Sequence, residues 1–186
     1  PPSPAHAMIP DKASAAIADA AAFIFIDAID PIGTVNPHAH EQMGRIFDRL
    51  LPCYAELGGE RVADIGLFYS LDSRFDMRSN GISVLAVDNG ADTHTRSTMQ
   101  AARTLIAGHL PWRVVTHKSL DRLGGLKTLV LANVHHMDDA EIAAIRAWVE
   151  RGGTLYASGA TSLVKQNGQR QPDFLLSDLF GVSLVK

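Results

Sequence analysis

The stretch from Lys127 to Ser162, KTLVLANVHHMDDAEIAAIRAWVERGGTLYASGATS, decides the fold. Its first part, Lys127 to Val134, is a near-continuous apolar run of the kind buried on both faces of a parallel sheet. A helix is expected at once after it. Asp138 can cap that helix with Glu141 as its reciprocal partner three residues on, and Ile142, Ile145, Trp148 and Val149 form one apolar stripe. Gly152-Gly153 ends the helix, and a second buried strand then runs into the small residues Gly159-Ala160-Thr161-Ser162. In open α/β sheets such a strand end is where ligands bind and nucleophiles are mounted.

The same regime extends upstream. Val62 to Tyr69 reads as a strand, Ser70 to Asn89 as a long irregular stretch, Thr93 to Ala107 as a helix with Met99, Ala102, Leu105 and Ile106 on one side, and Trp112 to Thr116 as a strand. The order β-α-β-β-α-β with short connections predicts an α/β fold, a doubly wound, flavodoxin-like parallel sheet with helices on both faces, over residues 60–186. Residues 1–59 look different. After a Pro-rich lead, Lys12 to Ala22 is helix-prone and Phe23 to Ile26 is a short β-rich run ending in Asp27-Ala28-Ile29-Asp30-Pro31. Met43, Ile46, Phe47, Leu50, Leu51 and Tyr54 then recur at helical spacing, with Pro52 as an expected kink and Gly58-Gly59 as the stop. This is an α-β-α fragment outside the sheet.

Bulk properties narrow the function. The 186 residues hold one generous domain, or one domain plus a piece of a neighbour. With 46% hydrophobic and 20% charged residues and a net charge of −3, nothing biases the chain toward nucleic acid or anionic membrane. No apolar run approaches the roughly 20 residues that span a bilayer, and the start, PPSPAHAMIP, has neither a basic nor an apolar leader pattern. Beginning on Pro-Pro-Ser-Pro rather than methionine, the chain is expected to be a segment of a longer polypeptide. The single cysteine, Cys53, excludes an internal disulfide and a Cys-based zinc cluster.

Candidate chemistry is sparse. Ser158 lies in Ala157-Ser158-Gly159 without the glycine two residues before it that a strained nucleophile elbow needs, so a small-residue turn is the favoured reading. His38-Ala39-His40 and His135-His136, with His94, His109 and His117 scattered, lack the spacing of a zinc site and read as surface or loop-packing residues; no metal is expected. Gly124-Gly125 and Gly152-Gly153 lack the phosphate-loop pattern, so no nucleotide cofactor is expected either.

One resemblance joins these pieces. The buried strand to Asn133-Val134, the capped helix, the Val149-Glu150-Arg151-Gly152-Gly153 turn, the strand into Gly159-Ala160-Thr161-Ser162 and the terminal DFLLSDLFGV of residues 173–182 together resemble the β-galactosidase trimerisation domain. That family is related to class I glutamine amidotransferases. The resemblance implies a fold that has lost the amidotransferase nucleophile, and Cys53 does sit elsewhere, on the earlier helix. FIFIDAIDPIGTVN and the helix after it look like the last strand and helix of a glycosidase-type (β/α)₈ barrel. Asp27 and Asp30 would then stand at the carboxyl end of a barrel strand and line the substrate of a parent enzyme, its catalytic carboxylates lying on earlier strands.

The expected function is therefore a non-catalytic C-terminal portion of a glycoside-hydrolase-like, β-galactosidase-like protein. Its expected partners are further copies of itself, a trimer by analogy, an upstream barrel domain, and the parent's carbohydrate substrate. The interface candidates are Asp72, Arg74 and Phe75 in the charged loop, and Leu176 and Phe180 in a tail more apolar than one short helix can bury. The alternative is a stand-alone flavodoxin-like module for a small ligand, and the third reading is a hydrolase built on Ser158.

Overall fold

The computed structural model describes residues 4–19, 21–26, 29, 31–58, 62–75 and 92–185. The chain divides into two compact units, Pro1–Glu60 and Arg61–Lys186.

The second unit is built on a four-stranded parallel sheet. Its strands are β1 (Ile65–Phe68), β2 (Trp112–Val115), β3 (Thr128–Ala132) and β5 (Thr154–Ser158), in the spatial order β2-β1-β3-β5. A two-residue strand β4 (His136–Met137) pairs in parallel with β6 (Val164–Lys165) beside it. Because side chains alternate along a strand, the sheet feeds two clusters. Phe68, Val115, Leu129 and Leu131 pack with Leu123, Leu126, Ile142, Ile145 and Trp148, whereas Leu67, Val130 and Ala132 pack with Ala101, Ala102 and Trp112. The first cluster rests on helix α5 (Asp139–Glu150) and the 3₁₀ segment His117–Gly125, the second on helix α4 (Thr93–Ala107). Each fully buried Leu, Ile, Val or Phe among them contributes about 1.5–3 kcal/mol.

Helix α5 starts as its sequence predicts. Asp138 Oδ1 accepts the Glu141 N–H at 2.7 Å while Glu141 Oε2 accepts the Asp138 N–H at 3.0 Å. At its far end Trp148 covers Gly153 so closely that an added Cβ there would lie 2.5 Å from the indole, and the indole N–H donates to the Leu123 carbonyl at 3.0 Å. Asp92 caps α4 in the same manner, its Oδ1 accepting the Thr95 N–H. The stretch expected to be irregular from Ser70 opens instead with a short helix, α3 (Leu71–Phe75); the rest of that loop, 76–89, lies outside the described residues. The tail folds as α6 (Ser177–Phe180) and lies against the first cluster. Arg146 holds it there through the Leu175 carbonyl and the Asp178 carboxylate, both at 2.7 Å.

The first unit is helical. Helix α1 spans Pro4–Ala18, and α2 spans Pro37–Leu50 with Asn36 as its cap. Pro52 has no N–H to continue an α-helical ladder, and the expected kink is a change to 3₁₀ geometry over Leu51–Glu56, where Cys53 is exposed. Residues 23–26 join no ladder among the described residues, so the strand expected there is absent. A strand needs a neighbour for its backbone groups, and the elements around this one are helices. Phe23 and Phe25 turn inward onto Phe47, with ring centroids 5.4 Å from it in each case, and onto the small core of Ala13, Ile46 and Leu50. The alternate residues Ile24 and Ile26 are 80% and 85% exposed.

Candidate functional site at the carboxyl edge of the sheet

The carboxyl ends of β1, β2, β3 and β5 share one edge, and that edge has a latched half and an open half. The latched half follows β3 and β5, and a hollow of about 400 Å³ lined by Ser158, Gly159, Thr161 and Phe174 lies beside it. Asn133 takes a positive φ of 53°, which asparagine tolerates, and its Oδ1 accepts the Ala160 N–H at 2.8 Å. Gly159 sits directly over that amide at φ 65°; a Cβ would stand 2.4 Å from Asn133 Oδ1, so only glycine fits. Thr161 Oγ1 accepts the Val134 N–H at 3.1 Å and its hydroxyl reaches the Ser158 carbonyl at 2.7 Å. Ser162 Oγ accepts the Leu176 N–H, and the Ser162 N–H donates to the Val134 carbonyl. The GATS turn is thus a hydrogen-bonded latch between two strand ends and the tail. Its small polar residues serve backbone groups, which answers why they stand there.

The open half follows β1 and β2. A cavity of about 280 Å³ is lined by Tyr69, Ser70, Asp72, Thr116, Lys118 and Glu141, with Leu71 and His117 beside them. Its floor is held from beneath by His94, fully buried on the first turn of α4. His94 Nε2 accepts the Ser70 N–H at 3.0 Å, so the proton must be on Nδ1, which donates to the Ala132 carbonyl at 3.1 Å. Burial holds its pKa below the usual histidine value, which keeps this tautomer neutral. Ser70 Oγ accepts the Ser73 N–H, and Ser73 Oγ in turn accepts the His136 N–H, so α3 is tied both to β1 and to β4. Arg74 donates to the Tyr69 hydroxyl at 3.1 Å and lies over the Phe75 ring.

Glu141 is the unusual wall of this cavity. Its side chain is 3% exposed, and desolvation pushes its carboxyl up to about 7, with the negative charges of Asp138 and Asp72 adding to the effect.

The sequence-derived candidates separate on this frame. Asp27 and Asp30 lie outside the described residues. Asp72 lines the cavity, Arg74 supports it through Tyr69, and Phe75 is half exposed at the end of α3. Leu176 was expected at an interface but is fully buried in the main cluster, and Phe180 packs edge-on to Phe174 at 5.8 Å. The tail is apolar because Leu175, Leu176, Leu179 and Phe180 pack into the main core. Of the two readings expected for the histidines, His135 and His136 take the packing one and are buried, while His38 and His40 take the surface one, exposed on α2. Glu141 and His94 were missed as site residues. Glu141 carried only a capping signal, and nothing around His94 beyond the preceding Asp92 cap marks it as buried. Among the described residues no three His, Cys, Asp or Glu side chains converge as a metal site, and no helix is long and apolar enough to cross a membrane.

No protein-family model matches the chain, and no curated protein matches it. Solved structures do. A GH42 β-galactosidase from G. stearothermophilus matches with a TM-score of 0.64 at 16% identity over 85% of this chain and 23% of its own. The α-L-fucosidase isoenzyme 2 from Paenibacillus thiaminolyticus matches with a TM-score of 0.60 at 22% identity, over 87% of this chain and 23% of its own. A β-galactosidase from Bifidobacterium adolescentis matches with a TM-score of 0.54 at 17% identity, over 67% of this chain and 55% of that one. The fold is one found within glycoside-hydrolase chains. The present chain spans between about a quarter and about half of the length of these proteins.

Proposed function

We propose that the chain is a non-catalytic C-terminal portion of a β-galactosidase-like glycoside hydrolase. On this reading residues 1–59 are the last βα unit of a (β/α)₈ barrel, and residues 60–186 are a doubly wound, amidotransferase-like domain that assembles the protein, as a trimer by analogy, and supports the barrel. The observation that carries the reading is coverage: 85% and 87% of this chain, more than either unit alone, is matched within enzymes of which it makes up only 23%. Two features support it. Ile24 and Ile26 present an apolar face that the packed interior of a barrel would bury, and the turn after β5 spends its polar groups on structure rather than on a nucleophile. Asp27 and Asp30 would line the parent's carbohydrate site, and Asp72, Arg74, Phe75 and Phe180 are the surface candidates for subunit contact.

Sedimentation of the whole-gene product tests the assembly role, with a trimer expected and Phe75→Asp expected to weaken it. A monomeric wild type would overturn it. Separately, the 186-residue chain should not turn over aryl galactosides; turnover abolished by Asp27→Asn or Ser158→Ala would contradict the non-catalytic reading. The small-ligand module is the second reading, and the cavity at β1 and β2 is the observation in its favour.

A further inference from the structure

The cavity beside α5 holds a buried carboxylate, Glu141, that forms no ion pair among the described residues. Buried carboxylates in proteins are ordinarily paired with a cation, because removing the charge from water costs several kcal/mol that a partner must offset. For Glu141 the backbone N–H of Asp138 meets one oxygen, but the charges acting on it, those of Asp138 and Asp72, are both negative. The remaining polar groups that face the cavity are Tyr69 and Ser70 from the end of β1, and Thr116, His117 and Lys118 from the end of β2. Of these, His117 and Lys118 are exposed at the rim. The cavity lies outside the carboxyl ends of two adjacent parallel strands, the general place for ligands in such sheets.

We propose that this cavity binds a small ligand bearing a primary ammonium group, seated between the carboxylates of Glu141 and Asp72. The ammonium supplies a positive charge and three donors between two carboxylates, in a site that also offers the Ser70 and Thr116 hydroxyls. Lys118 and His117 at the mouth suit a hydroxyl or an anionic group at the ligand's other end. A volume of about 280 Å³ admits a molecule of a few to about a dozen heavy atoms, and not a polymer segment. The proposal goes beyond the assembly role and does not depend on it.

The test is an NMR titration of the full chain at pH 8 with ethanolamine, and with ethylene glycol as the uncharged analogue at matched ionic strength. Ethanolamine should give saturable shifts at the amides of Ser70, Asp72, His117 and Glu141, and ethylene glycol should not. Glu141→Gln keeps an oxygen for the Asp138 N–H and should weaken binding about tenfold or more. Asp72→Asn, an exposed change, should weaken it as well and decides the matter alone if the first variant fails to fold. Equal shifts from ethylene glycol, no saturable shift from ethanolamine, or unchanged binding in the variants would each overturn the proposal.

Discussion

The two units use their apolar residues in opposite ways. In Arg61–Lys186 the large side chains converge, Phe68, Leu129, Leu131, Ile145 and Trp148 from three elements into one cluster. In Pro1–Glu60 the core is Ala13, Ile46 and Leu50 with a few aromatic neighbours, while Ile24, Ile26, Ile29 and Ile32 are largely exposed. Composition alone does not make a core; what differs is whether the elements that could bury a face are present. The second unit has a sheet with helices packed on it. The first has two helices, a 3₁₀ segment and the unpaired stretch 21–26, and an apolar hollow of about 340 Å³ lined by Ile9, Phe23, Phe25, Met43 and Ile46.

The contrast can be broken most directly at its two cores. Phe68→Ala should cost the second unit about 3–5 kcal/mol, read by urea unfolding. Both tryptophans, Trp112 and Trp148, lie in that unit, so fluorescence follows it alone. Removing residues 1–60 should leave the same transition in place with an unchanged midpoint. A large drop in midpoint after the truncation would show that the units are not independent and would end the comparison.

Within the second unit, His94→Gln should cost about 2–4 kcal/mol, since it disturbs both the Ser70 and Ala132 hydrogen bonds of a buried ring. The ring also sets a pH limit. Its folded pKa is lowered, so below about 6.5 the unfolded chain takes up the proton first and stability falls as the pH drops. Acid titration of the urea midpoint should lose this component in the variant.

Glu141 acts in the opposite direction. Its folded pKa is raised to about 7 from 4.5, so the unfolded chain releases its proton first and stability declines as pH rises through that window. Glu141→Gln should therefore stabilise the protein at pH 8 by on the order of 1–3 kcal/mol, with little change at pH 4. No gain at pH 8 would mean that the carboxylate is already compensated.

The smallest effect belongs to the first unit. Ile24→Ser with Ile26→Ser should change stability by less than about 0.5 kcal/mol while reducing aggregation seen by light scattering. A large loss would reveal that these residues are covered in the free chain.

The parts legible in the sequence were those whose signals are local. The capping box of Asp138 and Glu141, the stripe of Ile142, Ile145 and Trp148, and the apolar run of Thr128–Ala132 each lie within one element, and each appears where its pattern put it. The parts misread depended on distant partners. Phe23 to Ile26 has strand propensity but, among the described residues, no neighbour to pair with, and Leu176 looks superfluous just before a four-residue helix until α5 and the strands are folded around it. The open half of the site was illegible for the same reason. Ser70, Thr116 and Glu141 are far apart in the chain and are brought to one cavity only by the sheet order.

That order also bears on how the sheet can form as the chain leaves the ribosome. β1 emerges first and occupies an interior place; β2 adds to one side of it, β3 to the other, and β5 extends the β3 side. Among the described residues, every later strand docks on an edge that is already exposed, and none has to wedge between two strands already paired. A sheet that grows outward from its first strand can follow translation without undoing earlier pairings, which shortens the time its open edges stand unprotected.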